Sequence, residues 1–169
     1  MYQPAVWHDY FVMVGGGAAA LTGLVFVAMT LHLEDITGDP VHRHRARTIL
    51  TGLTAVFIRC ALVLMGGQNG KAVAVELIGV LLVVEAILYG SIRQASASAD
   101  RGVLLRALGS FACLVLEQIG ALILFFGNES GLYVVAVGMM SSFIFMVTGA
   151  WLLLVGVGVQ QAAGASPTK

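Results

Sequence analysis

Five stretches of mostly apolar residues, each long enough to cross a bilayer as a helix, constrain this chain more than any other feature. They lie at about residues 11–33, 48–67, 72–92, 105–127 and 132–159. A crossing of roughly 30 Å of hydrocarbon takes about 20 residues at about 1.5 Å per residue. Lipid offers no partner to a bare N–H or C=O, so each stretch must satisfy its backbone internally, which an α-helix does. The expected fold is therefore an all-α integral membrane protein, a five-helix transmembrane bundle with short loops. A single transmembrane domain takes up residues 1–159, and residues 160–169 form a short disordered tail. Composition agrees, because 11% of the residues are charged and 59% hydrophobic, whereas soluble domains carry about a quarter charged residues. Nine Lys and Arg offset nine Asp and Glu, which excludes a polybasic nucleic-acid binder and an acidic disordered chain. Two cysteines exclude a disulfide scaffold.

Orientation follows from the basic residues of the connections, since these resist translocation. The first loop carries Arg43, Arg45 and Arg47, and the third carries Arg93 and Arg101, with Arg106 just inside the next span. The second has Lys71, the fourth has none, and the tail has Lys169. This places the N-terminus outside and the C-terminus in the cytoplasm, with Trp7, Tyr10 and Tyr133 at the outer interface and Tyr89 at the inner one. Ala18, Ala19 and Ala20 look like a leader cleavage site, but only a short apolar run and no Lys or Arg precede them, so the first span is read as a mature helix. Arg exceeds Lys, and Ala, Gly and Val abound, which suggests a GC-rich bacterial genome and hence a bacterial inner membrane.

Small residues recur at helical spacing. Gly15, Ala19 and Gly23 share one face of the first span, and Gly138, Ser142, Gly149 and Gly156 form a similar series in the fifth. Such faces let backbones approach closely, either inside the bundle or at a homo-oligomer interface. The run from Gly17 to Ala28, Gly-Ala-Ala-Ala-Leu-Thr-Gly-Leu-Val-Phe-Val-Ala, resembles the opening helix of a group of small, uncharacterised bacterial multi-span membrane proteins. The resemblance implies a membrane fold and no particular activity.

Ionisable residues inside the spans carry the functional signal, because a charge at mid-bilayer costs several kcal/mol. These are Arg59, Glu76, Glu85 and Glu117. Counted from the cytoplasmic helix ends, Arg59 lies about 17 Å deep, Glu117 about 18 Å, Thr22 and Thr148 about 16 Å, and Glu85 about 10 Å. On the fourth helix Arg106, Ser110, Cys113 and Glu117 form one polar stripe. Glu76 is near the outer end, within reach of Lys71. Two readings follow. An ion pair between Arg59 and Glu117 fixes the second and fourth helices, with Glu85 accepting further Arg59 donors; or these groups form a proton or cation site or a polar pathway. One arginine against three glutamates favours the second slightly, since the imbalance calls for a proton or a bound cation.

Other features carry less. His32, Glu34, Asp35, Asp39, His42 and His44 form a metal-capable cluster, but the ordinary reading is a solvated loop touching lipid headgroups. Cys60 and Cys113 lack a Cys-x-x-Cys arrangement, and the seven methionines suit packing. No recognised catalytic motif occurs, so no enzyme, cofactor or metal is expected. The leading expectation is a homo-oligomeric channel or transporter for protons or small ions. It uses Glu117, Glu85, Arg59, Thr22, Ser110 and Thr148 as its pathway, and Gly15, Ala19, Gly23, Gly149 and Gly156 as packing or oligomer contacts. The alternative is a non-catalytic accessory or regulatory subunit of a larger membrane complex.

Overall fold

The structure, a computed structural model, describes residues 4–31, 33, 38, 40–96 and 101–164. Among the described residues five long helices stand out: α1 (Pro4–Leu31), α2 (Pro40–Leu64), α3 (Gly70–Ser96), α4 (Arg101–Phe125) and α5 (Ser130–Gly164). No strand occurs among the described residues. All five are long and apolar enough to cross a membrane, and only 28% to 39% of each apolar window is buried inside the chain. Much of the remainder, including Leu24, Phe26, Val83 and Trp151, faces outward. So large an apolar exterior is unfavourable in water and natural in lipid.

Helix ends follow local chemistry. α1 and α2 both begin at a proline, which fits a first helical position because its missing N–H would have had no partner there. α3 is capped by Asn69, whose Oδ1 accepts the Ala72 N–H at 2.8 Å. α4 ends in a left-handed Gly127 (φ 87°), where the Asn128 N–H reaches the Ile123 carbonyl and the Gly127 N–H that of Leu124. This is the Schellman arrangement. Asn128 Oδ1 then accepts both the N–H and the hydroxyl of Ser130, starting α5 within a few residues.

Three boundaries differ most from expectation, the first being the start of α1, which lies at Pro4, seven residues ahead of the expected span. The stretch with His42, Arg43, His44, Arg45 and Arg47, expected as loop, forms the opening turns of α2, because Pro40 starts the helix there and nothing breaks it before the apolar span. Arg43 and Arg47 are exposed on it. α5 also runs on to Gly164, through Gln160, Gln161, Ala162 and Ala163, which are good helix formers, so half of the expected disordered tail is helical. Residues 165–169, His32, Glu34, Asp35 and Asp39 lie outside the described residues.

Sequence neighbours pack as antiparallel pairs, most extensively α4 with α5, α1 with α2 and α3 with α4; α2 also crosses to α5. The α4–α5 seam is a backbone contact. A Cβ on Gly120 would stand 2.7 Å from the Val135 nitrogen, one on Gly131 would collide with the Gly120 carbonyl, and one on Gly138 with the Glu117 side chain. Glycine at these three positions brings the helices close enough for dispersion to hold them without a hydrophobic driving force. The larger core draws on all five helices at one end of the bundle, with Phe11, Val63, Leu77, Leu124 and Leu132 among its members. At the other end a smaller core, among the described residues, joins α1, α2 and α5 through Val25, Met29, Ile49, Leu53 and Ala150. A cavity lies beside it.

Candidate functional site

Arg59, five residues before the end of α2, and Glu117, eight before the end of α4, form a salt bridge through Arg59 Nη1 and Glu117 Oε2. Their side chains are 1% and 0% exposed, so neither water nor lipid screens the pair. Such burial is tolerable only when the remaining polar atoms are satisfied. Here the Ser142 hydroxyl donates to Glu117 Oε1 at 2.8 Å. Arg59 Nε donates to the Ala55 carbonyl, one turn back in its own helix, at 3.0 Å. Both carboxylate oxygens are therefore held, one by a cation on α2 and one by a hydroxyl on α5. Gly138, one turn before Ser142, leaves the space that the Glu117 side chain fills.

Arg59 borders a cavity lying among α2, α3, α4 and α5. Its wall is almost wholly apolar, with Val56, Leu88, Leu114 and Met146 among the lining residues; Arg59, Ser142, Ser110, Thr48 and Thr51 also border it but turn little polar surface toward it. It offers about 40 Å³ to the centres of water molecules, enough for roughly two or three waters. On the far side of the pair the larger core is tightly filled by residues such as Cys60, Leu81, Ala121 and Met139.

Of the residues singled out in the sequence, the structure brings together Arg59, Glu117 and Ser110. Thr22 is half-buried, and its hydroxyl bonds back to the Ala18 carbonyl of its own helix at 2.7 Å. Thr148 is exposed. Six residues past Ser142 on a helix is a turn of about 240°, which takes Thr148 off the face that carries Ser142. Glu85 lies on the inward stripe of α3 between the buried Leu81 and Leu88. Its Oε1 is shielded without a hydrogen-bond partner, and no bond to Arg59 is present. Glu76 is held by the side chain of Gln68, whose Nε2 lies 2.8 Å from both carboxylate oxygens, in place of Lys71.

Among the small residues, Gly15 packs so closely on α2 that a Cβ would stand 2.9 Å from Cys60 Cβ, and Gly149 faces Ile49 at ordinary contact distance. Ala19 and Gly23 are exposed, with open space beside Gly23. Gly156 lies on α5, its surroundings outside the described residues. Ser142 and Gly138 had been noticed only as small residues; their spacing of four was the available sign that one helix face could clasp a side chain. Tyr10, expected as an interfacial aromatic, also donates its hydroxyl to the Ala136 carbonyl at 2.7 Å, tying α1 to α5. No group of three or more potential metal ligands occurs among the described residues. No protein-family model, curated protein or solved structure matches the chain.

Proposed function

We propose that this chain is a small polytopic protein of a bacterial inner membrane that moves protons or small ions, with the Arg59 and Glu117 pair as its occluded exchange site. The N-terminus is outside and the C-terminus cytoplasmic, so the cavity faces the cytoplasm. One observation carries the reading: a fully buried carboxylate and its counter-charge pair inside the bundle, and the counter-charge, Arg59, borders a cavity whose wall is otherwise almost wholly apolar. Intramembrane charges placed in this way are a recurrent feature of proton and ion pathways. Since the other half of the bundle is filled by the larger core, the mechanism is alternating access, in which α3 and α4 shift against α1, α2 and α5, rather than an open pore through one protomer. Glu85, with its unpartnered oxygen, serves as a second proton acceptor nearer the cytoplasm.

The test is proton and ion flux in liposomes containing the purified protein, compared with Glu117→Gln and Glu85→Gln. Flux lost in E117Q and reduced in E85Q supports the proposal. Equal flux in all three folded proteins overturns it and leaves the pair a device for packing α2 against α4.

A second reading, an accessory subunit or homo-oligomer, is favoured by α1. Gly16, Ala19, Ala20 and Gly23 are exposed on it, and a Cβ on Gly16 or Gly23 would meet nothing within 4 Å. A small-residue face left uncovered suits docking of another helix. Purification in mild detergent separates the cases: a different co-purifying membrane protein in fixed ratio favours the subunit, and a discrete self-assembly favours the homo-oligomer.

A further inference from the structure

Among the described residues, α2 and α3 are consecutive in sequence yet pack less extensively than the other neighbouring pairs. Between them the outer surface opens into a groove. Thr51, Thr54 and Ile58 of α2 line one wall, and Gly79, Val83 and Ile87 of α3 the other. The wall is apolar along its length, since even the two threonines turn no polar surface toward it. Gly79 keeps it open, because a Cβ there would meet nothing within 4 Å. A trough of this kind gives water no hydrogen-bond partner, so in a bilayer its natural filling is hydrocarbon.

Register along the helices identifies the occupant. The apolar window of α2 runs from Ala46 to Leu64 and that of α3 from Gly70 to Tyr89. Thr51 and Ile87 therefore lie towards one boundary of the apolar layer, and Ile58 and Gly79 near its middle. From Arg47 to Ile58 the helix rises about 16 Å, close to half of a hydrocarbon thickness of roughly 30 Å. The groove is thus one leaflet deep. A docked transmembrane helix would follow the whole span, whereas an acyl chain ends where this groove ends. Beyond that level Val63 of α2 and Val73 and Leu77 of α3 are buried in the larger core. Charge at the other end agrees. Arg47 stands one turn before Thr51, rotated from it by about 40°, and Arg43 a further turn back, rotated by about 80°. Both are exposed. Arg47 lies at the edge of the apolar window and Arg43 beyond it, and helical side chains lean towards the N-terminus, here towards the membrane surface. Guanidinium groups in that position match the oxygens of a phosphate. We propose that the groove between α2 and α3 holds one anionic phospholipid, with an acyl chain along Thr51 to Ile58 and Gly79 to Ile87 and its phosphate at Arg47 and Arg43. Thr51, Val84 and Ile87 border both this groove and the cavity beside Arg59, so the bound chain covers that cavity on its lipid side. The site requires that the helices lie in a bilayer and does not depend on transport.

Native mass spectrometry of the purified full chain in mild detergent counts the lipids it retains when phosphatidylglycerol or phosphatidylcholine of equal chain length is added. The wild type is expected to keep one phosphatidylglycerol ahead of any other adduct. At about fivefold for each arginine, the two lipids differ by about 25-fold in apparent affinity. R43Q/R47Q is expected to bring phosphatidylglycerol down to the phosphatidylcholine level. Gly79→Leu, which puts a side chain into the groove, is expected to lose the preferred first adduct of either lipid. Should G79L fail to fold, Val83→Trp, at an exposed position of the same wall, takes its place. Equal retention of the two lipids by the wild type, or a graded series of adducts with no preferred first, overturns the inference. So does a preferred phosphatidylglycerol that survives the groove-filling variant, since it leaves only a headgroup drawn to the arginines. A dimer that G79L dissolves, with no lipid retained by the wild type, assigns the groove to a second copy and overturns it as well. One phosphatidylglycerol retained by a wild type that moves no ions in liposomes upholds this site and overturns transport alone.

Discussion

Replacing Arg59 by Met while keeping Glu117 isolates the energetics of the buried pair. Methionine has similar length and no charge, so the packing between α2 and its neighbours is largely kept while the carboxylate loses the Arg59 cation that pairs with it. Breaking a buried ion pair from one side costs about 3–5 kcal/mol, because the surviving charge stays desolvated. With both partners at most 1% exposed, no solvent discount applies. For a chain of this size each kcal/mol shifts the unfolding temperature by roughly 2–4 °C, so the variant is expected to unfold roughly 6–20 °C lower in detergent at neutral pH. The deficit shrinks as pH falls, because a proton on Glu117 replaces the lost arginine. Removing both charges in R59M/E117L leaves no stranded ion, and the double variant should recover most of the loss even though it lacks the salt bridge. Thermal unfolding followed by circular dichroism, with all four proteins in one detergent, provides the double-mutant cycle. If R59M/E117L is as unstable as the sum of the two single variants, the pair is uncoupled and the reasoning fails.

The glycine seam gives a sharper contrast than any polar residue. Gly138→Ala introduces a Cβ against Glu117 and within 3.2 Å of the Cys113 carbonyl, so α4 and α5 must separate at a cost of about 1–3 kcal/mol. Gly23→Ala, with nothing within 4 Å, is expected to be neutral or to gain up to about 1 kcal/mol of helix propensity; the same unfolding assay checks both, and equal behaviour would contradict the close approach. Tyr10→Phe removes the bond to the Ala136 carbonyl and is expected to cost about 1 kcal/mol. It would also raise hydrogen exchange at the start of α1, whereas unchanged exchange would show that α1 is held there by packing alone.

Much of the fold was legible because lipid leaves so few options. A run of about 20 apolar residues can satisfy its backbone in hydrocarbon only as a helix or in a closed barrel, so five runs gave five helices. The pairing of Arg59 with Glu117 was legible too, because a fixed rise per residue sets both at one level along neighbouring helices, and they do meet. Azimuth was not. Rotation about each helix axis is set by which faces interlock, and this separates Ser142, which bonds Glu117, from Thr148, which faces outward. The start of α2 was missed for a different reason. Apolarity marks the part of a helix in hydrocarbon, whereas the helix itself continues past it through Arg47, Arg45 and Arg43 to Pro40.

By itself, then, the sequence determined five apolar helices with one arginine and three glutamates among them, since length and hydropathy are properties of the chain that no packing alters. Only the tertiary structure decided how those charges differ. Glu117 received Arg59 and Ser142, Glu76 received Gln68, and an oxygen of Glu85 was left without a partner. The physical reason is that an ion pair in a low-dielectric interior depends on contact distance and complete hydrogen bonding. Those come from close packing, here from Gly138 letting α5 lie against Glu117.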